Sequence, residues 1–104
     1  HILAINVGMA SINVTDVNLF ILNDGKYNTK AIAMVTLNDC LKLTGIKFCI
    51  DEKGKCFLRY PINTGNKHAI SYFYPLNRSM SDEILEAIKE RYFEILDDEN
   101  DNNN

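Results

Sequence analysis

Between Ile12 and Leu22 the residues Val17, Leu19 and Ile21 alternate with Asp16, Asn18 and Phe20, a period of two with one apolar exception, and the pattern predicts a strand. Asn23-Asp24-Gly25-Lys26 predicts a reversal, with glycine expected to supply a positive φ and Asn and Asp to bond their own backbone. Lys30 to Leu37 is short and β-branched near its end, which fits a second strand running into a two-residue hairpin loop at Asn38-Asp39. Leu41 and Leu43 then alternate with Lys42 and Thr44. After Gly45 the pattern resumes one position out of step at Ile46, Phe48 and Ile50, the slip that a β-bulge produces.

Asp51 to Lys55 reads as another hairpin turn, leading into a short strand over Cys56–Tyr60 that Pro61 closes by removing an amide donor. Ile62 to His68 is a polar loop without periodicity. Ala69 to Tyr74 reads as a fifth extended segment, with Ile70, Tyr72 and Tyr74 on one side, ended by Pro75. Beyond it the period becomes helical: Ile84, Leu85, Ile88, Tyr92, Ile95 and Leu96 recur at spacings of three and four. Ser79 with Asp82 resembles a capping box and Ser81 is a rival cap, so the helix is expected to start near 80. The expected fold is α+β, an antiparallel sheet of about five short strands with one C-terminal amphipathic helix.

At 104 residues the chain is one domain's worth, and 46% hydrophobic with 24% charged residues is a globular composition. Residues 1–11, which begin with His, are expected to be an expression remnant or a flexible N-terminus, 12–96 the folded domain, and 97–104 a disordered acidic tail. No apolar run reaches a membrane span, and the opening decapeptide lacks the basic flank of a secretory signal, so the expected location is cytoplasmic, with no membrane partner. Cys40, Cys49 and Cys56 are odd in number and contain no CxxC pair, which argues against a disulfide framework and a zinc site. No cofactor or metal is expected.

Charge is uneven along the chain. Asp82 to Asp101 holds nine acidic residues against Lys89 and Arg91, a net of −7, while residues 1–80 carry +4. Such a body can meet an anionic partner, although scattered lysines on a solvated surface are the plainer explanation. An active site needs a poised base or nucleophile held by a partner. The chain offers His68, one histidine in the N-terminal decapeptide, and no HExxH, GxSxG, P-loop or dinucleotide-binding glycine pattern, so it does not read as an enzyme. Lys67 and His68, in a loop with Gly65, have the chemistry to touch phosphate, and a solvated loop is the plainer reading. Tyr72, Phe73 and Tyr74 can stack on unpaired bases or pack in a core or dimer interface. The acidic helix repels phosphate, which directs any such surface to the opposite face of the sheet or to its loops.

The order of segments resembles the SpoVG family. The resemblance rests on Val14-Thr15-Asp16-Val17, Asp24-Gly25-Lys26, Ala31-Ile32-Ala33 through Thr36-Leu37-Asn38, then Leu43, Ile46, Lys47, the Gly54 turn, Phe57 to Pro61, and Tyr74-Pro75-Leu76-Asn77 before the helix. It spans about residues 12 to 96. It implies a small bacterial regulator of septation and sporulation that binds DNA or RNA without catalysis, as a homodimer. The nucleic-acid-binding residues expected here are Lys55, Arg59, Lys67, His68, Tyr72 and Arg78. The family's segment after the equivalent of Pro61 is usually rich in Lys and Arg, whereas Ile62-Asn63-Thr64-Gly65-Asn66 has neither, and Tyr74 stands where the family commonly has His. The alternative is a protein-interaction module of cell division or gene regulation, recruiting a regulatory protein, with incidental nucleic-acid binding.

Overall fold

The computed structural model describes residues 11–65 and 67–102. Apart from Ser11, the N-terminal segment set aside above lies outside the described residues, as do residues 103–104. Strands β1 (Val14–Ile21), β2 (Thr29–Leu37), β3 (Leu41–Ile50) and β4 (Cys56–Arg59) form one antiparallel sheet in sequential order. Strands β5 (Ile62–Asn63) and β6 (Ile70–Ser71) form a separate two-stranded sheet, and helix α1 (Arg78–Asn102) ends the described chain. The architecture is α+β, as the alternating pattern followed by a helical one requires.

Alternation places Val17, Leu19 and Ile21 of β1 opposite Val35, Ala33 and Ala31 of β2, and these face Leu43, Ile46 and Phe48 of β3. Onto this face α1 lays Ile84, Ile88 and Tyr92, all buried together with Ala31, Ala33, Val35, Ile46 and Phe48. The alanines bring no bulk between strand and helix, and the Phe48 and Tyr92 rings meet at 4.9 Å. Each large apolar side chain removed from water here contributes about 1.5–3 kcal/mol. Glu83 fastens the helix to the sheet: its Oε2 accepts the Val14 amide at 2.7 Å.

The turns follow local chemistry, with one correction. Asn38 and Asp39 both have positive φ and Cys40 N bonds Leu37 O, so the two-residue hairpin loop forms as expected. Gly45, at φ +81°, marks the expected bulge, where Ala33 faces Ile46 but Val35 faces Leu43. Asp51 Oδ1 accepts the Lys53 and Lys55 amides and builds the β3–β4 turn with Gly54 at φ +87°. In the β1–β2 loop, however, positive φ falls on Tyr27 and Asn28, not on Gly25. Gly25 is needed there for clearance, since a methyl group on it would overlap the Thr29 carbonyl oxygen.

Three further differences have physical causes. The fifth extended segment shrinks to Ile70–Ser71 and pairs with Ile62–Asn63 instead of joining the large sheet, so part of the supposed polar loop is strand. The helix cap is Asn77, whose Oδ1 accepts the Met80 amide at 2.8 Å, rather than Ser79 or Ser81. Helix α1 does not stop at Leu96 but continues to Asn102, which corrects the disorder expected from residue 97 for residues 97–102. Neither Gly nor Pro interrupts the segment, and a helix already nucleated gains a hydrogen bond for each added residue while its exposed charges stay solvated. Among the described residues no helix is long and apolar enough to cross a membrane.

Candidate nucleic-acid interface

The face of the sheet turned away from α1 is built by the other half of the alternation. Cross-strand partners Asp16–Thr36–Lys42 form one row and Phe20–Ile32–Lys47–Arg59 another, the second running across all four strands. Lys30 shares this face by alternation with Ile32. Ile32 and Met34 are half-buried, Lys42, Lys47 and Arg59 exposed, and Phe20 is 67% exposed. Cations thus gather on the face that is shielded by the sheet from the carboxylates of α1.

Arg59 is held in place. Its guanidinium lies 5.3 Å from the centre of the Phe57 ring, and Nη1 donates to the Tyr27 carbonyl oxygen at 2.7 Å. The β1–β2 loop is itself tied down, because the Asn28 carbonyl accepts the Ile50 amide at 3.0 Å. Beneath this corner Thr29 and Cys49 are paired and buried, Oγ1 and Sγ 3.8 Å apart. The Tyr27 ring, 79% exposed, stands at the edge of the same corner.

The other residues singled out from sequence are spread more widely. Lys55 sits in the β3–β4 turn, its amide bonded to Asp51. Lys67 and His68 are exposed in the β5–β6 connection, and Tyr72 follows β6, its amide donating to the Pro61 carbonyl and its ring in solvent. Arg78 opens α1 and pairs with Asp82 at 3.8 Å, an exposed contact between neighbouring turns of the helix. Of the set, only Arg59 lies on the open face. Lys47, Phe20, Tyr27 and Phe57, which complete its surroundings, were not singled out. Alternation alone points Lys47 outward between Ile46 and Phe48, but its neighbours follow from strand register.

On the α1 side a groove of about 650 Å³ opens between the start of β1, the end of β4 and the entry to the helix. Leu43, Tyr60, Phe73, Leu76, Met80 and Ile84 are among its walls. Leu76 is 88% exposed at its rim. Tyr60 packs edge-on against Phe73, its hydroxyl is buried without a protein hydrogen-bond partner, and that burial pushes its pKa up. Tyr92 is pushed up likewise, by burial first and then by the Cys56 and Glu99 charges. Among the described residues no cluster of His, Cys, Asp and Glu is placed to hold a metal ion, and the three cysteines carry free thiols.

A comparison with protein-family models matches the SpoVG model over residues 12–94, most of the chain. A comparison with curated proteins finds no match.

Proposed function

The chain belongs to the SpoVG family, which ties this small protein to septation and sporulation, and from that premise we propose that it is a cytoplasmic regulator that binds DNA or RNA without catalysis, as a homodimer. The observation that carries the binding reading is the segregation of charge by the sheet. Helix α1 holds nine of the 14 acidic residues on one side, while Lys30, Lys42, Lys47 and Arg59 share the other with Asp16. Exposed Lys55, Lys67 and His68 add loop positions able to meet phosphate, Arg78 adds a cation at the first turn of α1, and Tyr72 adds an exposed ring.

The homodimer is supported by the unpaired outer edges of β1 and β4 and by the apolar side chains left in solvent around the groove, Ile12, Tyr74 and Leu76 among them. The groove also favours the second reading, a protein-interaction module that recruits a regulatory partner. Titration of labelled single- and double-stranded oligonucleotides at two salt concentrations separates the two. Binding through phosphates weakens steeply with salt, with a slope of about −0.9 per contact on duplex and −0.7 on single strands. Binding that is absent, or indifferent to salt, overturns the nucleic-acid reading. A monomeric mass by light scattering at micromolar concentration overturns the dimer.

A further inference from the structure

Resting on the nucleic-acid reading above, we propose that the open face of the sheet is a platform for single strands, on which Lys47 and Arg59 hold phosphates while Phe20 and Tyr27 stack against unpaired bases.

The first ground is a pair of like charges. Lys47 and Arg59 are direct cross-strand partners on one face, an arrangement that destabilises a sheet. A carboxylate nearby would relieve it. Among the described residues the ion pairs are Arg78–Asp82 and Arg91–Glu94, and neither Lys47 nor Arg59 takes part in one. Asp16, on the same face, lies in the row of Thr36 and Lys42 instead. Among the described residues no carboxylate pairs with either cation, so the repulsion is met only by the Phe57 ring and the Tyr27 carbonyl beside Arg59, and an anionic ligand would relieve it.

The second ground is that Arg59 is already oriented. The Phe57 ring beneath it and the bond to Tyr27 O hold its guanidinium and use one of its five N–H donors, leaving others for a phosphate with less ordering of the side chain still to come. The third is the placing of the aromatic rings. Phe20 is paired with Ile32 near the end of the edge strand β1 and is mostly in solvent. Tyr27 adopts φ 57°, a left-handed conformation that costs a side-chain-bearing residue of its kind on the order of 1 kcal/mol, while its side chain, 79% exposed, recovers little from packing. Base faces would cover both rings. A duplex keeps its base faces stacked inside, so rings presented in this way fit unpaired bases, and the interaction is indifferent to base identity. A second copy laid face to face would bring this cation-rich surface against itself.

The test uses the full chain, a labelled 20-nucleotide strand of mixed sequence and the same sequence as a duplex, with Phe20→Ala, Tyr27→Ala and Lys47→Ala/Arg59→Ala. These side chains are exposed, and a melting curve for each variant checks that the fold is retained. Phe20→Ala is expected to weaken single-strand binding roughly 5- to 150-fold, with Tyr27→Ala in the same direction, and to leave duplex affinity within about two-fold. The double variant should flatten the single-strand salt slope by about 1.4. If wild-type protein binds the strand and neither ring nor cation substitution changes affinity or slope, this surface is not the site, although the broader nucleic-acid reading stands. If the variants become monomers while wild type is dimeric, the face belongs to a second copy and the proposal is overturned. If wild type binds neither probe, both readings fall.

Discussion

Replacing Gly25 by alanine should unsettle the protein more than an exposed loop substitution normally does. The added methyl group would overlap the Thr29 carbonyl oxygen and lie 3.2 Å from Leu22 Cδ1, whereas carbon atoms in contact ordinarily sit about 3.5–4.0 Å apart. Thr29 is anchored in β2, so the loop has to give way. Its displacement strains the Thr29 N–Lys26 O bond (3.1 Å) and the Ile50 N–Asn28 O bond (3.0 Å), each contributing about 1 kcal/mol. Overpacking adds about 1–3 kcal/mol, offset by roughly 0.4–1 kcal/mol of lost freedom in the unfolded chain. The net loss of about 1–3 kcal/mol corresponds to a fall in Tm of roughly 5–20 °C for a domain of this size.

Thermal unfolding followed by circular dichroism measures this, and Gly54→Ala serves as the comparison. Gly54 has φ +87° with no atom within 4 Å of the added methyl, so only the left-handed penalty of about 1 kcal/mol applies. Because the same loop carries the Tyr27 carbonyl that holds Arg59, Gly25→Ala should also weaken nucleic-acid binding, and Gly54→Ala should not. A Gly25→Ala Tm within about 2 °C of wild type, or a larger drop for Gly54→Ala, refutes the clearance argument.

Asn77→Ala removes the side-chain oxygen that accepts the Met80 amide and should lower stability by about 1 kcal/mol in urea unfolding, whereas Ser79→Ala should cost little. Ile88→Ala, at a fully buried position between helix and sheet, should cost about 2–5 kcal/mol in the same assay, and an effect below about 1 kcal/mol would mean the helix does not pack as described. Burial raises the pKa of both Tyr60 and Tyr92, so the folded state holds its phenolic protons to higher pH than the unfolded state does. Their contribution is fully present below about pH 10 and is lost as pH rises through the raised values, so stability should fall in that alkaline window, and Tyr60→Phe should make the fall shallower.

Much of the scaffold was legible along the chain, because alternation, turn chemistry and helical spacing are local. The four strands of the main sheet, the Asn38-Asp39 hairpin, the bulge at Gly45 and the stripe Ile84–Ile88–Tyr92 all follow from neighbours a few residues apart. The charge asymmetry of the chain was legible too, since the acidic residues of the helix are close together in sequence. What local pattern could not supply is which strands become partners and in what register. That register alone sets Lys47 opposite Arg59, and only the folding back of the β1–β2 loop brings the Tyr27 carbonyl under the Arg59 guanidinium. Gly25 and Asn77 show the same limit at smaller scale. A glycine needed for a positive φ and one needed for clearance read identically in sequence, and the choice among Asn77, Ser79 and Ser81 as cap depends on where the segment after β6 lets the helix begin. Separation along the chain carries no energy of its own. Contacts across the sheet do, and they exist only once the strands have paired.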